Sequence, residues 1–155
     1  AIGYQGRLGA MALESGQLLW SQELSSGKNL GIDVGSIFVA DQRSELVSLS
    51  RASGRELWRR KDVRNRDITG PAIIAQSVVV GDFEGYLHWF DLESGLLQAR
   101  VRAGKDRITS QPLVFDATLY VMTDGGSLYA FRIKPPKRSA AERKAEREQA
   151  ESAGD

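Results

Sequence analysis

The chain has 155 residues, of which 41% are hydrophobic, and its 21 lysines and arginines nearly balance its 20 aspartates and glutamates. This length can bury the core of one ordinary domain, and a net charge of +1 gives no general attraction to nucleic acid or anionic lipid. The absence of cysteine excludes disulfides, thiolate metal sites, a cysteine nucleophile and a lipid-bearing cysteine within these residues. No apolar run approaches the roughly 20 residues needed to cross a bilayer. The first residues also lack the layout of a signal peptide, so we expect any export or anchoring signal outside this chain.

Several features of the sequence recur at a spacing of 41 residues. The recurring positions are the leucines Leu46, Leu87 and Leu128, the apolar run centres Ile37, Val78 and Leu119, and the prolines Pro71 and Pro112. The turn glycines Gly16, Gly54 and Gly95 follow at intervals of 38 and 41 residues. This period, with short apolar strands between glycine turns, predicts an all-β fold, a β-propeller built from four-stranded antiparallel blades.

In chain order, we predict the last two strands of one blade, two complete blades and three strands of a final blade that ends at Ile133. The clearest blade runs from Gly70 to Arg102, with the strands PAIIA, SVVVGD, YLHWFD and LLQARVR. Gly85 and Gly95 stand at its chain reversals, where positive φ is needed. The inner strands are apolar at nearly every residue, which indicates sheets covered on both faces. The charged fourth strands are typical of an outer edge.

The series of thirteen predicted strands starts partway through one blade and ends partway through another. This segment is therefore not expected to close a ring by itself. We predict that it belongs to a longer protein, whose N-terminal part supplies the fourth strand of the final blade. The isolated chain should be marginally stable and prone to associate, because its two unpaired faces are expected to expose apolar strands such as SIFVAD at residues 36–41.

The tail, residues 134–155, differs in composition from the repeats. Its KPPK segment stops the last strand, and the following residues favour a helix but lack an apolar stripe. Ser139 and Glu142 form a capping-box pattern. We predict a charged, partly helical or disordered extension, and leave open a role as a docking peptide.

A glycine followed four residues later by tryptophan occurs after the third predicted strand of two blades. The pairs are Gly16 with Trp20 and Gly54 with Trp58. We predict that the glycine permits the turn, while the indole packs between blades and donates its N–H to the adjacent turn. The third repeat has Gly95 but places Ala99 where tryptophan would fall, so a weaker blade contact is expected there.

These motifs resemble those of quinoprotein-type propellers, and the longer runs resemble the BamB family. The runs that carry the resemblance are VADQRSELVSLSRASGRELW at 39–58, VVVGDFEGYLHWFDLESG at 78–95 and LYVMTDGGSLYAFRI at 119–133. The resemblance implies an eight-bladed ring that is attached to the periplasmic face of the outer membrane by an N-terminal lipid outside this chain. It also implies a non-catalytic scaffold in the outer-membrane β-barrel assembly (BAM) complex, which binds the POTRA domains of BamA and assists the insertion of outer-membrane proteins. Unfolded outer-membrane proteins are a further expected partner, and the charged tail departs from the family's usual ending.

The basic run from Arg51 to Asp67 holds the candidate partner-binding residues Arg59, Arg60 and Lys61. Arginine forks could receive partner carboxylates, although a solvated outer edge explains the same charges. His88 is the only histidine in the sequence and is expected to be structural. Turn chemistry accounts for the acids at Asp82, Glu84 and Asp124, which lack the spacing of a calcium loop.

Two alternatives stay open from the residues alone. One is a quinone-cofactor (PQQ-type) dehydrogenase, which uses the same type of propeller with acids that coordinate calcium and often an adjacent cysteine pair. The other is a generic peptide-binding propeller. We find no cysteine pair and recognise no cluster of acids, so we predict no catalytic residue, cofactor or metal site within this chain.

Overall fold

The computed structural model describes residues 6–133, and within them it contains thirteen β-strands and no helix. The strands are β1 Arg7–Met11, β2 Leu18–Glu23, β3 Gly31–Ile32, β4 Ser36–Ala40, β5 Leu46–Ser50, β6 Glu56–Arg60, β7 Ala72–Ile74, β8 Ser77–Gly81, β9 Tyr86–Asp91, β10 Leu97–Arg102, β11 Leu113–Phe115, β12 Thr118–Met122 and β13 Leu128–Arg132. The predicted tail and its capping box at Ser139 and Glu142 lie outside the described residues.

The strands form four antiparallel sheets, which we number as blades in chain order. The first blade contains β1 and β2, the second β3 to β6, the third β7 to β10 and the fourth β11 to β13. Within each sheet the strands are neighbours in chain order, as in a β-meander. The predicted fold class is therefore confirmed, and the four sheets contain two, four, four and three strands in chain order.

The 41-residue repeat is also present in the backbone hydrogen bonds. The turn between the second and third strands of a blade is closed by the same bond in three blades: Asp41 N to Glu45 O at 2.9 Å, Asp82 N to Tyr86 O at 2.9 Å and Thr123 N to Ser127 O at 3.0 Å. A second set joins each of these turns to the loop that enters its blade: Gln42 N to Ser25 O at 3.1 Å, Phe83 N to Arg66 O at 3.2 Å and Asp124 N to Arg107 O at 2.9 Å. The turns at this end of the blades are therefore fixed relative to one another.

The hydrophobic core lies between consecutive blades. Along β4, Ile37 and Val39 pack toward the first blade, whereas Phe38 and Ala40 pack toward the third. Alternate side chains of an inner strand thus enter two different cores, which explains why the strand is apolar at nearly every residue. The prediction that SIFVAD would be exposed is wrong, because β4 has a blade on each side. The exposed large apolar residues instead lie mostly on the first and fourth blades: Met11, Leu13, Leu18, Leu19, Leu113, Phe115, Met122 and Leu128.

The predicted tryptophan–glycine contact is present at two blade junctions. Trp20 Nε1 donates to the carbonyl of Arg51 at 3.0 Å, and a Cβ atom added to Gly54 would lie only 2.4 Å from the Trp20 ring. One blade later, Trp58 Nε1 donates to the Leu92 carbonyl at 3.2 Å, and a Cβ on Gly95 would lie 2.6 Å from its ring. Each indole therefore lies on the glycine turn of the next blade.

All three motif glycines have positive φ, at 69° for Gly16, 71° for Gly54 and 70° for Gly95. Gly16 differs from the other two because a Cβ added there would meet no described atom within 4 Å. Its conformation alone requires glycine, whereas Gly54 and Gly95 must also leave room for an indole.

Candidate partner-binding surface

The three candidate basic residues lie at the end of β6 and in the loop that follows it. Because neighbouring strands are antiparallel, β6 ends on the same side of the blade as the turn between β4 and β5. That turn contains Asp41 and Glu45, whose side chains are only 11% and 5% exposed. The topology therefore brings a basic strand end onto two nearly buried carboxylates.

Arg59 is engaged by three carboxylates of its own chain. Its Nη1 lies 3.2 Å from Asp41 Oδ2 and 3.0 Å from Glu45 Oε2, and its Nη2 lies 2.8 Å from Glu56 Oε2. The hydrogen bond that Arg59 donates to Glu56 raises the pKa of Arg59, against the effect of burial, and the bond it donates to Glu45 adds to the increase. The guanidinium thus has an internal role in neutralising the turn.

Glu45 is the most enclosed acid of this cluster. Burial acts to raise its pKa, but the hydrogen bond from Arg59 and the charges of Arg59, Arg64 and Lys61 outweigh that effect and hold the pKa below its ordinary value. Arg64 Nε lies 3.3 Å from the second carboxylate oxygen of Glu45. Glu45 therefore stays ionised between two arginines.

Arg60 and Lys61 are placed differently from Arg59. Arg60 Nε lies 2.9 Å from Asp62 Oδ2, and both side chains are partly exposed. Lys61 is exposed. The structure therefore places the three predicted residues side by side but gives them unequal freedom, with Arg59 bound internally and Lys61 facing solvent.

A second cluster, which sequence reasoning did not assemble, lies at the equivalent turn of the third blade. Asp82 is fully buried, and its Oδ2 lies 2.6 Å from Arg66 Nε and 2.8 Å from His88 Nε2. Its Oδ1 accepts from the backbone N–H groups of Glu84 and Tyr86 at 2.9 and 3.0 Å. The predictions of a structural His88 and of turn chemistry at Asp82 agree with this geometry.

Arg66 joins two blades through this cluster. Its backbone lies in the loop between β6 and β7, and its side chain pairs with both Asp82 and Glu84 on the turn between β8 and β9. Burial acts to raise the pKa of Asp82, but the hydrogen bonds from His88, Tyr86 and Arg66 hold it well below its usual range. Two features of the sequence could have indicated this contact. Asp41 and Asp82 are 41 residues apart, and position 66 is arginine where the preceding repeat has Ser25.

The exposed side of the same turn carries stacked arginines. Arg100 Cζ lies 3.8 Å from the centre of the Tyr86 ring, and Arg102 Cζ lies 5.1 Å from it. Arg100 also approaches Glu84, with 3.5 Å between Nη2 and Oε2. These distances suit cation–π attraction between the ring and both guanidinium groups.

A groove of about 570 Å³ lies along the inner strands β3, β7 and β11. The repeat places Leu30, Pro71 and Pro112 at equivalent positions along it, and Gln111 Nε2 donates to the Pro71 carbonyl at 2.7 Å. Among residues 6–133, no group of three or more histidine, cysteine, aspartate or glutamate side chains could hold a metal ion. In the same part of the chain, no helix is long and apolar enough to span a membrane.

Comparison with known proteins gives matches along most of the chain. A family model described as outer membrane protein assembly factor BamB matches residues 1–60 and 46–138. The outer membrane protein assembly factor BamB of Shewanella oneidensis is 37% identical over 128 residues, which are 83% of this chain and 32% of that protein. The chain therefore spans about a third of the length of this curated relative.

Solved structures show the same architecture. The crystal structure of BamB from Moraxella catarrhalis superimposes with a TM-score of 0.79 and 25% identity, covering 84% of this chain and 38% of that one. A quinohemoprotein alcohol dehydrogenase from Pseudomonas putida HK5 superimposes with a TM-score of 0.57 and 20% identity over 65% of this chain and 18% of that one. The likeness to the dehydrogenase shows a shared fold and nothing more.

Proposed function

This chain belongs to the BamB family of outer membrane protein assembly factors, and from that membership we propose that it contributes parts of four blades to a non-catalytic scaffold of the BAM complex. The match of the family model over residues 1–60 and 46–138 carries the proposal. The complete ring in this proposal has eight blades. Its task is to assist the folding and insertion of outer-membrane β-barrel proteins.

The proposed partner is BamA, bound through its periplasmic POTRA domains, with unfolded outer-membrane proteins as a further ligand. The proposed location is the periplasmic side of the outer membrane, where a lipid at the N-terminus of the complete protein attaches it. Residues 6–133 alone identify neither the partner nor the anchor. Both follow from the family role.

Rigidity of the turns supports a role in binding. Backbone hydrogen bonds repeat at the 41-residue period and fix each turn against the preceding loop. Loops held in this way lose little conformational entropy when a partner binds, so several weak contacts can add up to a stable complex. A scaffold of this kind needs no catalytic group.

Among the described residues, Arg59 pairs with three carboxylates and Arg60 with one, whereas Lys61 is exposed. Arg59 neutralises Asp41 and Glu45, so its replacement should disturb the blade itself. Lys61 and Arg60 are better suited to meet an acidic partner, and exposed charges of this kind mainly affect the rate of association and its dependence on salt. We therefore propose Arg60 and Lys61 as contact residues and assign Arg59 a supporting role.

Co-purification of the complete gene product with the POTRA domains of BamA tests the proposal. The wild type should associate, and the variant with Arg60→Glu and Lys61→Glu should associate more slowly and with weaker salt dependence. Arg55→Glu, on the turn between β5 and β6 at the opposite end of the blade, is the matched charge control. No association of the wild type would refute the scaffold assignment, whereas unchanged kinetics in the double variant would remove only the two contact residues.

Arg59→Gln serves as a second control, for stability. It should lower the free energy of unfolding by about 2–4 kcal/mol, because it leaves two nearly buried carboxylates without their main partner. Lys61→Gln should change it by no more than about 0.5 kcal/mol. Equal and small effects of both would show that Arg59 is not the internal counter-charge described here.

The dehydrogenase alternative makes an opposite biochemical prediction. We propose that the complete protein neither binds a quinone cofactor nor oxidises alcohols or sugars. After incubation with pyrroloquinoline quinone and Ca²⁺, the rate of dye reduction should stay at background. Cofactor-dependent reduction that saturates with an alcohol would refute the non-catalytic role.

A further inference from the structure

The outer strand of the third blade, β10, has a free backbone edge within residues 6–133. In this range it pairs with β9 on one side only, and all six of its residues are exposed. Ala103 N donates to the carbonyl of Gly85 directly opposite it, which fixes the direction of the neighbouring backbone groups. These directions alternate along an antiparallel strand. The backbone N–H and C=O groups of Val101 therefore point toward β9, whereas those of Arg100 and Arg102 point toward the free edge.

The equivalent arginines of the second and third blades have different surroundings. Arg59 and Arg100 are 41 residues apart and lie at the same ladder position, opposite Val47 and His88. Arg59 has three carboxylates within 3.2 Å. In the part of the chain that the structure describes, Arg100 has a single carboxylate nearby, that of Glu84 at 3.5 Å.

The loss of those carboxylates can be traced position by position. Where the second blade has Glu45 and Glu56, the third has Tyr86 and Leu97. The remaining acid, Asp82, is already occupied by Arg66 and His88. The positive charges on β10 are therefore less compensated than those on β6.

Tyr86 sets the position of these charges. Its ring holds the Arg100 and Arg102 guanidinium groups on one face of the sheet, beside the free edge. Arg102 Nε donates to the Gly104 carbonyl at 2.9 Å, and the terminal nitrogens of both guanidinium groups can still bind carboxylates in a forked arrangement. The arginine side chains therefore leave the backbone edge accessible and remain able to bind acids.

We propose that β10 binds an extended acidic segment of a partner protein. The segment adds to the third blade as a fifth strand and pairs its backbone with Arg100 and Arg102. Side chains of a strand alternate between faces, so acids at every second position reach the two guanidinium groups. Backbone pairing provides affinity and the arginines provide selectivity for charge, as in other cases of strand addition.

This proposal does not depend on the identity of the partner in the BAM complex. The acidic character of the ligand follows from the positive charges of Arg100 and Arg102, which are less compensated than those on β6. A second copy of the same chain would offer β10 another basic strand, with like charges facing one another, which is unfavourable. An acidic partner segment is therefore the preferred occupant.

Fluorescence anisotropy with the 155-residue chain tests the proposal directly. The probe is a fluorescein-labelled peptide that alternates glutamate with threonine. The wild-type chain should bind it, and should bind a version with lysine in place of glutamate at least about tenfold more weakly. N-methylation of alternate backbone nitrogens of the acidic peptide should abolish binding, because it removes the donors needed for strand pairing.

Two variants separate backbone pairing from charge. Arg100→Pro removes an outward N–H without removing a bond to β9, and should weaken binding about tenfold or more. Arg100→Gln combined with Arg102→Gln keeps the backbone and should weaken binding about threefold while reducing its salt dependence. Arg55→Gln removes an exposed charge elsewhere and should have no effect.

Several outcomes would overturn the proposal. Binding that survives both Arg100→Pro and N-methylation of the peptide would show charge attraction without strand pairing. If circular dichroism shows that Arg100→Pro does not fold, the N-methylated peptide on the wild-type chain decides the question. A wild-type dimer that Arg100→Pro converts to a monomer would identify a second copy, and not an acidic partner, as the occupant.

Discussion

Trp89 and Ala99 lie opposite each other on β9 and β10, and they reverse the sizes of Ser48 and Trp58, which hold the same positions one blade earlier. Trp89 packs into the core between the third and fourth blades, together with Leu119. In the sequence, position 136, which follows Gly95 by one repeat, is proline and not glycine. The sequence therefore lacks both the tryptophan at position 99 and the glycine at position 136 that the repeat would place there.

The first prediction concerns this junction. Trp89→Ser copies the second blade and should lower the free energy of unfolding by about 3–5 kcal/mol, because Ala99 leaves the cavity unfilled. Trp89→Phe should lose only about 1 kcal/mol, since it also removes the buried Nε1 donor, which has no partner among the described residues. Urea unfolding of both variants measures these differences. A Trp89→Ser loss below about 1 kcal/mol would contradict the role given to Trp89.

The three motif glycines allow a controlled test of indole docking. Gly16→Ala should cost about 1–2 kcal/mol of unfolding free energy through its positive φ alone. Gly54→Ala and Gly95→Ala should each cost about 1–3 kcal/mol more, because their Cβ atoms would overlap Trp20 and Trp58. Thermal unfolding followed by tryptophan fluorescence provides the comparison. Equal losses at all three positions would show that the indoles tolerate the extra methyl group.

Asp82 predicts a specific dependence of stability on pH. Its pKa is lower in the folded protein than its ordinary value, so the ionised carboxylate stabilises the fold above pH about 4, and this stabilisation is lost as the pH falls toward the folded-state pKa. Asp82→Asn should therefore cost about 2 kcal/mol at pH about 7 and less at pH about 3. Urea unfolding across this range measures it, with Glu14→Gln on an exposed turn as the control. A cost independent of pH would show that the charge of Asp82 does not matter.

We expect the 155-residue chain to associate through the exposed apolar side chains of its end blades. Phe115 and Leu128 are 70% and 63% exposed on the fourth blade. Replacing both with lysine should shift association to higher protein concentration, because less apolar surface is available for burial. Leu57→Lys, on the outer strand β6, should leave association unchanged. Sedimentation velocity measures both variants, and a wild-type chain that stays monomeric at every concentration would contradict the prediction.

The repeat made most of the fold predictable, because spacing is visible in a single sequence. Glycine turns, apolar runs and the tryptophan motif together placed the strands of all four blades. The prediction that SIFVAD would be exposed was wrong because it assumed that this inner strand has no blade on one of its sides. Its apolar residues on both faces are better explained by one blade on each side, and the end blades carry most of the exposed apolar surface instead.

The candidate surface was less predictable, because charge partners come from different parts of a blade. Arg59 meets Asp41 and Glu45, which precede it by 18 and 14 residues, and Arg66 meets Asp82 in the following blade. Counting charges along the basic run could not distinguish an occupied guanidinium from a free one. Comparing equivalent positions of successive blades would have drawn attention to Arg100, where Glu45 and Glu56 are replaced by Tyr86 and Leu97.

The direction of the tryptophan contacts has a consequence for folding accuracy. Each indole reaches forward to the next blade, so blades associate head to tail, and similar repeats could in principle join in the wrong order. The exchange of large and small residues at Trp89 and Ala99 gives the third junction a different shape from the second. If the fourth blade met the second, it would face Ser48 and Trp58 at the positions where it meets Trp89 and Ala99 in the correct order. Misordered stacking is thus disfavoured by shape, and this one junction helps the repeats to assemble in the order of the chain.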